Sequence, residues 1–232
     1  MFIYEMHQHT SPCSHCGKGD PAETVRNLKQ EGFSGVVLTN HFLHGNTGID
    51  RDLPWEDFVR FYEEDYLRAK EAGDEIDFDV IFGIEEHVGE SKEVLLYGIT
   101  PEFLYAHPEM SDGRLETIYK AVHSFGALVF QAHPYRSRSY IEDPMKNLDI
   151  RYLDGMETFN ACNPENENLL AQEYALKHGL LECAGSDAHT EDFSDRYGIA
   201  CENRIKNSAQ LAEVLKSGNY KLYLGKKAEM KI

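Results

Sequence analysis

The stretch Ser111–Pro134 reads SDGRLETIYKAVHSFGALVFQAHP. Its first part, 111–126, has apolar residues at helical spacing and ends in a glycine. It is followed at once by a short apolar run, ALVFQA (127–132), which ends on His133 and Pro134. A helix closed by Gly, a strand of four to seven residues buried on both faces, then a metal-seeking side chain is the repeating unit of a parallel α/β fold.

The unit recurs outward in both directions. Strands are expected at 2–6 (FIYEM), 35–39 (GVVLT), 79–84 (DVIFGI), 93–99 (EVLLYGI), 127–132, 153–158 (LDGMET) and 180–185 (LLECAG). Helices are expected at 20–32, 54–73, 111–126, 166–179 and 208–218. The first opens with Asp20 as a cap, followed by Pro21. Seven alternating strands favour a closed or nearly closed parallel barrel over an open sheet, formed by one domain spanning 1–232.

The chain has 232 residues and a net charge of −17. That charge repels phosphate backbones, so duplex nucleic acid is not expected as a partner. No apolar run reaches the length of a membrane helix, and the N-terminus lacks the marks of a signal peptide, so the expectation is a cytoplasmic protein with no membrane partner. Five cysteines, an odd number, argue against a disulfide framework. Cys13 and Cys16 form a lone C-x-x-C with no second pair. They are read as loop packing rather than as a zinc knuckle.

The polar residues fall at the strand ends. His7 and His9 follow the first strand, His41 the second, Glu85 the third, His133 the fifth, and Asp187 and His189 the seventh, while Glu157 ends the sixth. In a parallel α/β fold these ends share one face, where active sites are built. Residues i and i+2 of extended chain point the same way, so His7 with His9, and Asp187 with His189, can each grip one ion. Imidazole and carboxylate together suit Zn²⁺, Mn²⁺ or Fe²⁺. Arg136, three residues past His133, offers a guanidinium to phosphate oxygens. His44 and His87 are candidates for substrate contact. Glu157 and Asn160 are candidates for orienting the ligands.

Five motifs now stand in order: EMHQHTSPCSHC (5–16), VVLTNHF (36–42), FGIEEH (82–87), QAHPYR (131–136) and GSDAH (185–189). Together they resemble the PHP (polymerase and histidinol phosphatase) family of metal-dependent phosphoesterases. The resemblance implies a distorted (β/α)₇ TIM-like barrel carrying two or three divalent ions. It implies that His7, His9, Glu85 and Asp187 hold one ion, that Glu85 and His133 hold a second, and that His15, His41 and His189 hold a third. Where many relatives have a histidine this chain has Glu93, a harder ligand that shifts preference toward Mn²⁺ or Fe²⁺. The implied activity is hydrolysis of a small phosphate monoester or nucleotide, with Arg136 on the phosphoryl group and Asp187 or His189 orienting the nucleophile. The alternatives are an exonuclease on single strands or short oligonucleotides, which the negative charge disfavours, and a non-catalytic metal-bound scaffold.

Overall fold

The computed structural model describes residues 1–190 and 193–225. Among the described residues nine strands form one sheet: β1 (Phe2–Gln8), β2 (Gly35–Leu38), β3 (Asp79–His87), β4 (Glu93–Tyr97), β5 (Leu128–Gln131), β6 (Gly155–Asn160), β7 (Leu181–Gly185), β8 (Gly198–Cys201) and β9 (Lys221–Tyr223). Their order across the sheet is β7-β6-β5-β4-β3-β2-β1-β8-β9. The helices are α1 (Pro21–Glu31), α2 (Trp55–Glu75), α3 (Pro101–Ala106), α4 (Leu115–Ser124), α5 (Glu165–His178) and α6 (Ser208–Ser217). None is long and apolar enough to cross a membrane, among the described residues.

All seven expected strands form, and the sheet curls into a nearly closed barrel. Past the end of β7, Ala188 bridges Gln8 of β1, and the His9 N–H donates to the Ala188 carbonyl at 3.0 Å. Gly185 makes this seam possible. A Cβ there would sit 2.5 Å from the His7 Cβ and 2.6 Å from the Glu157 Oε1.

The expectation of uniformly parallel strands is corrected at β4. It runs antiparallel to both β3 and β5. Only residues 88–92 join β3 to β4, too few for the crossover that a parallel neighbour requires. The reversal matters for the site. It brings the first residue of β4, Glu93, opposite His87 at the end of β3. Glu93 therefore sits at the same end of the barrel as the C-termini of the parallel strands.

Two strands have no counterpart in the sequence reading. β8 pairs antiparallel with β1, and β9 with β8, extending one edge. They are four and three residues long, too short for a periodicity to register. Helix α3 also escaped that reading. It is one and a half turns long, started by the Thr100 cap and Pro101.

The two faces of the sheet bury separate apolar clusters. Phe82, Ile84, Val94, Leu96 and Val129 pack outward with residues of α2, α3 and α4, among them Phe58, Tyr62, Phe103 and Ile118. Val37, Ile81, Leu95, Tyr97, Phe130 and Cys183 form a second cluster with Leu211 and Leu215 of α6. Residues of this inner set are in phase with Glu85 on β3 and with Glu93 on β4, two or four positions away. An apolar floor therefore underlies the polar residues at the mouth.

Candidate metal centre

Each strand end delivers its side chain in a fixed orientation. The His7 Nδ1 lies 2.9 Å from the Glu157 Oε1, so its Nε2 faces the opposite way. That Nε2 is 3.1 Å from the His9 Nε2, 3.3 Å from the Glu85 Oε1 and 3.6 Å from the Asp187 Oδ1. The His9 ring is turned by Ser14, whose Oγ is 3.0 Å from Nδ1, leaving Nε2 3.3 Å from the Glu85 Oε2 and 3.2 Å from the Asp187 Oδ1. The His133 Nε2 lies 3.0 Å from the Glu85 Oε1 and 3.4 Å from the Glu93 Oε2. The His41 Nδ1 lies 2.9 Å from the Glu85 Oε2 and 3.7 Å from Glu93. His189 packs face to face with His9, ring centroids 4.5 Å apart.

These residues form four groups of three whose ligand atoms lie within 4.8 Å of one another: His7/His9/Glu85, His7/His133/Asp187, His41/Glu85/Glu93 and His9/His41/His189. The donor set fits divalent cations on a structural observation. The His41 Nδ1 and the Glu85 Oε2 are both buried, and neither makes a hydrogen bond of acceptable geometry although they are 2.9 Å apart. Buried polar atoms are seldom left unpartnered, so two that converge without bonding suit ligands aimed at one ion.

The electrostatics follow from crowding. Burial opposes ionisation of Glu85 and Asp187, but positive neighbours outweigh it: His7 and His41 around Glu85, Arg136 and His7 around Asp187. Both carboxyls fall well below the usual range. Glu93 has the opposite balance, since burial and the Glu85 charge push it up to about 7. Burial alone would lower His7 and His41. Facing carboxylates, Glu157 and Glu85 for His7 and Glu85 for His41, raise both well above an ordinary histidine. Backbone strain concentrates here too: His133 and Asp187 have φ of 28° and 53°, a region that non-glycine residues occupy at a cost.

Glu157 and Asn160 sit behind the candidate ligands. Glu157 uses one oxygen on His7, and the other accepts from the His133 N–H at 3.0 Å and the Asn160 Nδ2 at 2.9 Å. Arg136 is buried, donating from Nη2 to the Asp187 Oδ2 at 2.5 Å and to the Asn160 Oδ1 at 3.1 Å, and from Nε to the Asn163 Oδ1 at 2.9 Å. Because Glu157 holds the His7 ring and the His133 backbone at once, Glu157→Gln is expected to weaken divalent-metal binding by ~10–100-fold, the range for groups that support ligands. Titration with Mn²⁺ against a competing chelator measures it.

Three sequence expectations are corrected. His15 is exposed and stands outside all four groups. Its N–H donates to the Asn46 carbonyl at 2.9 Å, and the inward positions of the loop on either side belong to Ser14 and Cys16. His44 lies against Glu86 and opens on a different cavity, beside Arg51, Trp55 and Ser111. Glu86 alternates with Glu85 on β3 and so faces away from the centre. His87, at the strand end, does not line the cavity over the cluster.

That cavity, about 410 Å³, is lined by His41, Glu85, Glu93, His133, Arg136, Asp187 and His189, and by three residues not anticipated: Cys16, Asn46 and Tyr140. Burial opposes ionisation of Cys16, but hydrogen bonding to His189 and His41 and their charges lower its pKa to about 5. Cys13 is buried and packs in the core.

A family model, PHP_C, described as PHP-associated, matches residues 165–220. No curated protein matches the chain. The fold is similar to a two-domain protein containing a predicted PHP-like metal-dependent phosphoesterase from Bacteroides vulgatus, with TM-score 0.71 and 16% identity over 97% of this chain; the chain spans 65% of that protein's length. It is similar to a putative metal-dependent phosphoesterase from Bifidobacterium adolescentis, with TM-score 0.58 and 16% identity over 92% of this chain and 95% of that one. A third similar structure is endonuclease Q in complex with a 27-mer duplex substrate carrying an abasic lesion at the active site. Its TM-score is 0.59 and its identity 13%, over 95% of this chain and 58% of that one.

The last of these overturns the exclusion of duplex nucleic acid, which rested on the net charge. A sum over the whole chain does not describe the field at a mouth where cations bind, and a protein of this fold has been solved on a duplex. The PHP-associated segment and the fold shared with these phosphoesterase structures agree with the resemblance carried by the five ordered motifs.

Proposed function

We propose that the chain is a metal-dependent hydrolase of phosphate esters. One observation carries this reading: four imidazoles, those of His7, His9, His41 and His133, each bring a ring nitrogen within 3.3 Å of the single buried carboxylate of Glu85. No structural salt bridge needs that many partners, whereas a carboxylate shared between ions does. In this reading His7, His9, Glu85 and Asp187 hold one divalent cation, Glu85, Glu93 and His133 a second, and His41 and His189 take part in a third. Such cations, Zn²⁺, Mn²⁺ or Fe²⁺, supply Lewis acidity and a more acidic water.

The chain's own residues do the rest. Asp187 and Glu157 fix His7 and His9, and Glu157 also fixes His133 through its backbone. Arg136 holds positive charge at the cavity wall for the non-bridging phosphoryl oxygens. The His189 Nδ1–H donates to the Asp187 carbonyl at 2.9 Å, which leaves Nε2 as the ring's ligating atom. A cavity of this size, lined by histidine, carboxylate and arginine side chains, suits the head of a small phosphate monoester. A phosphodiester of nucleic acid is the second substrate class, favoured by the endonuclease Q complex.

The test is hydrolysis of p-nitrophenyl phosphate and of a duplex with one abasic site, with Mn²⁺ added and then chelated, by the native chain and His133→Ala. The expected result is turnover of at least one ester that requires both the metal and His133. Absence of turnover on either by folded, metal-loaded protein contradicts the proposal.

Proton competition gives a further expectation. His7 and His41 bind protons more tightly than free histidine, and an ion must displace those protons. The sign follows: metal affinity is weakest at low pH, rises through the neutral range and levels off once both rings are neutral. Calorimetric titration in buffers of different ionisation enthalpy counts the protons released.

A further inference from the structure

The loop that follows His9 carries a side chain that none of the expected ligand sets includes. We propose that the thiolate of Cys16 is a metal ligand beside His41 and His189, in the place expected for His15, and that it gives this position a softer ion than those around Glu85. The inference rests on reading the cavity as a metal centre.

The geometry comes from the backbone. The His15 N–H donates to the Asn46 carbonyl at 2.9 Å, and the Lys18 N–H to the His189 carbonyl at 2.7 Å. Ser14 also bridges Thr47. The loop is thus pinned on one side to the segment after His41 and on the other to His189 itself. Residue 16 lies between the two pins. Ser14 faces inward, its Oγ on His9 and on the His41 N–H at 2.9 Å. His15 turns outward and is exposed, and Cys16 turns inward again to line the cavity. Gly17 allows the turn to close, since a Cβ there would lie 2.5 Å from the Thr10 carbonyl oxygen.

An observation independent of the cysteine points to an ion at this place. The nitrogens of His9, His41 and His189 already gather within 4.8 Å of one another. The Cys16 thiol hydrogen-bonds with the His41 and His189 rings and lines the same cavity, so it is the donor an ion at these imidazoles would draw in, although it stands outside the groups gathered within 4.8 Å. Thiolate with imidazole selects Zn²⁺, Co²⁺ or Fe²⁺ over Mn²⁺, whereas Glu85 and Glu93 give their positions oxygen-rich ligand sets. The chain would then hold unlike ions side by side.

Cobalt reads this directly. Metal-free protein is loaded with Co²⁺, bound cobalt is counted, and the near-ultraviolet thiolate-to-cobalt charge-transfer band is recorded for the native chain, Cys16→Ser and Cys162→Ser. Cys162 is the control, because its sulfur lies 3.5 Å from the Asp187 carbonyl oxygen yet does not line the cavity. The expected result is a band in the native chain that is kept in Cys162→Ser and lost in Cys16→Ser. Circular dichroism confirms that the variant stays folded. Zn²⁺ competition against Mn²⁺ should also weaken in Cys16→Ser by ~10-fold or more, at least the scale of supporting groups. A native chain that binds cobalt without the band, or a band that survives Cys16→Ser, overturns the assignment of Cys16 alone. A native chain that binds no cobalt overturns the metal centre itself, and the assignment with it.

Discussion

Replacing Glu85 by Gln is expected to remove the proposed hydrolytic activity almost completely, with kcat/KM falling by more than ~100-fold. That bound follows from comparison with the groups behind the ligands, whose loss typically costs 10–100-fold. Glu85 stands at the meeting point of four histidines and is shared between two of the proposed ions. Glutamine keeps the shape and one neutral oxygen but removes the charge that a shared ligand contributes to both positions. Bound metal should fall along with turnover, and the two measurements belong together. If Glu85→Gln keeps its full complement of metal and most of its activity, Glu85 is not a shared ligand. Fold is not the confounder it would be for a larger change, because the substitution preserves volume and the barrel floor beneath is apolar and separate.

Arg136→Ala is expected to act twice, and the two effects separate by metal. In metal-free protein the guanidinium is the positive charge bonded to the Asp187 Oδ2, in surroundings where both groups are buried. Removing one partner of such a pair leaves the other uncompensated, typically at ~3–5 kcal/mol. Urea unfolding without metal should show a loss of that order. With Mn²⁺ bound, the ion takes over the neutralisation of Asp187, and most of the deficit should vanish. Turnover behaves differently. An arginine that stabilises developing phosphoryl charge accounts for ~10²–10³-fold in rate, and metal does not restore that contribution. An arginine that only props Asp187 would show the metal-rescued stability loss and near-normal kinetics in saturating metal. Urea curves and kcat, each taken with and without excess Mn²⁺, distinguish the two.

Much of the fold can be read from the chain because its barrel strands are buried on both faces. Runs such as GVVL on β2 and LVFQ on β5 are continuous rather than alternating, and they stand out from the amphipathic helices between them. The order of the candidate ligands is legible for the same reason, since each stands at or just past such a run. The reversal of β4 turns instead on length. Residues 88–92 cannot hold a crossover helix, and the apolar run alone carries no direction. His44 and His87 show a different limit. Nearness to a motif along the chain is not nearness to its side chains, because on β3 Glu85 faces the cluster and Glu86, to which His44 bonds, faces away.

Cys16 shows the deepest limit. His15 and Cys16 are adjacent, both can ligate metal, and the local sequence does not distinguish them. The choice between them is made by a hydrogen bond to Asn46, thirty-one residues on, and by the attachment of Lys18 to His189 at the far end of the chain. No spacing rule within the loop encodes either contact. Tyr140 entered the cavity lining equally unannounced, from a long polar stretch after Arg136 with no periodic pattern.

The most direct test of the account is anomalous diffraction from crystals of the chain grown with Mn²⁺, recorded at a wavelength where manganese scatters anomalously. The account predicts at least two peaks in the cavity, one among His7, His9, Glu85 and Asp187 and one among Glu85, Glu93 and His133, with Glu85 contacting both. A map with no peak among these residues, from crystals whose manganese content is confirmed, would contradict it.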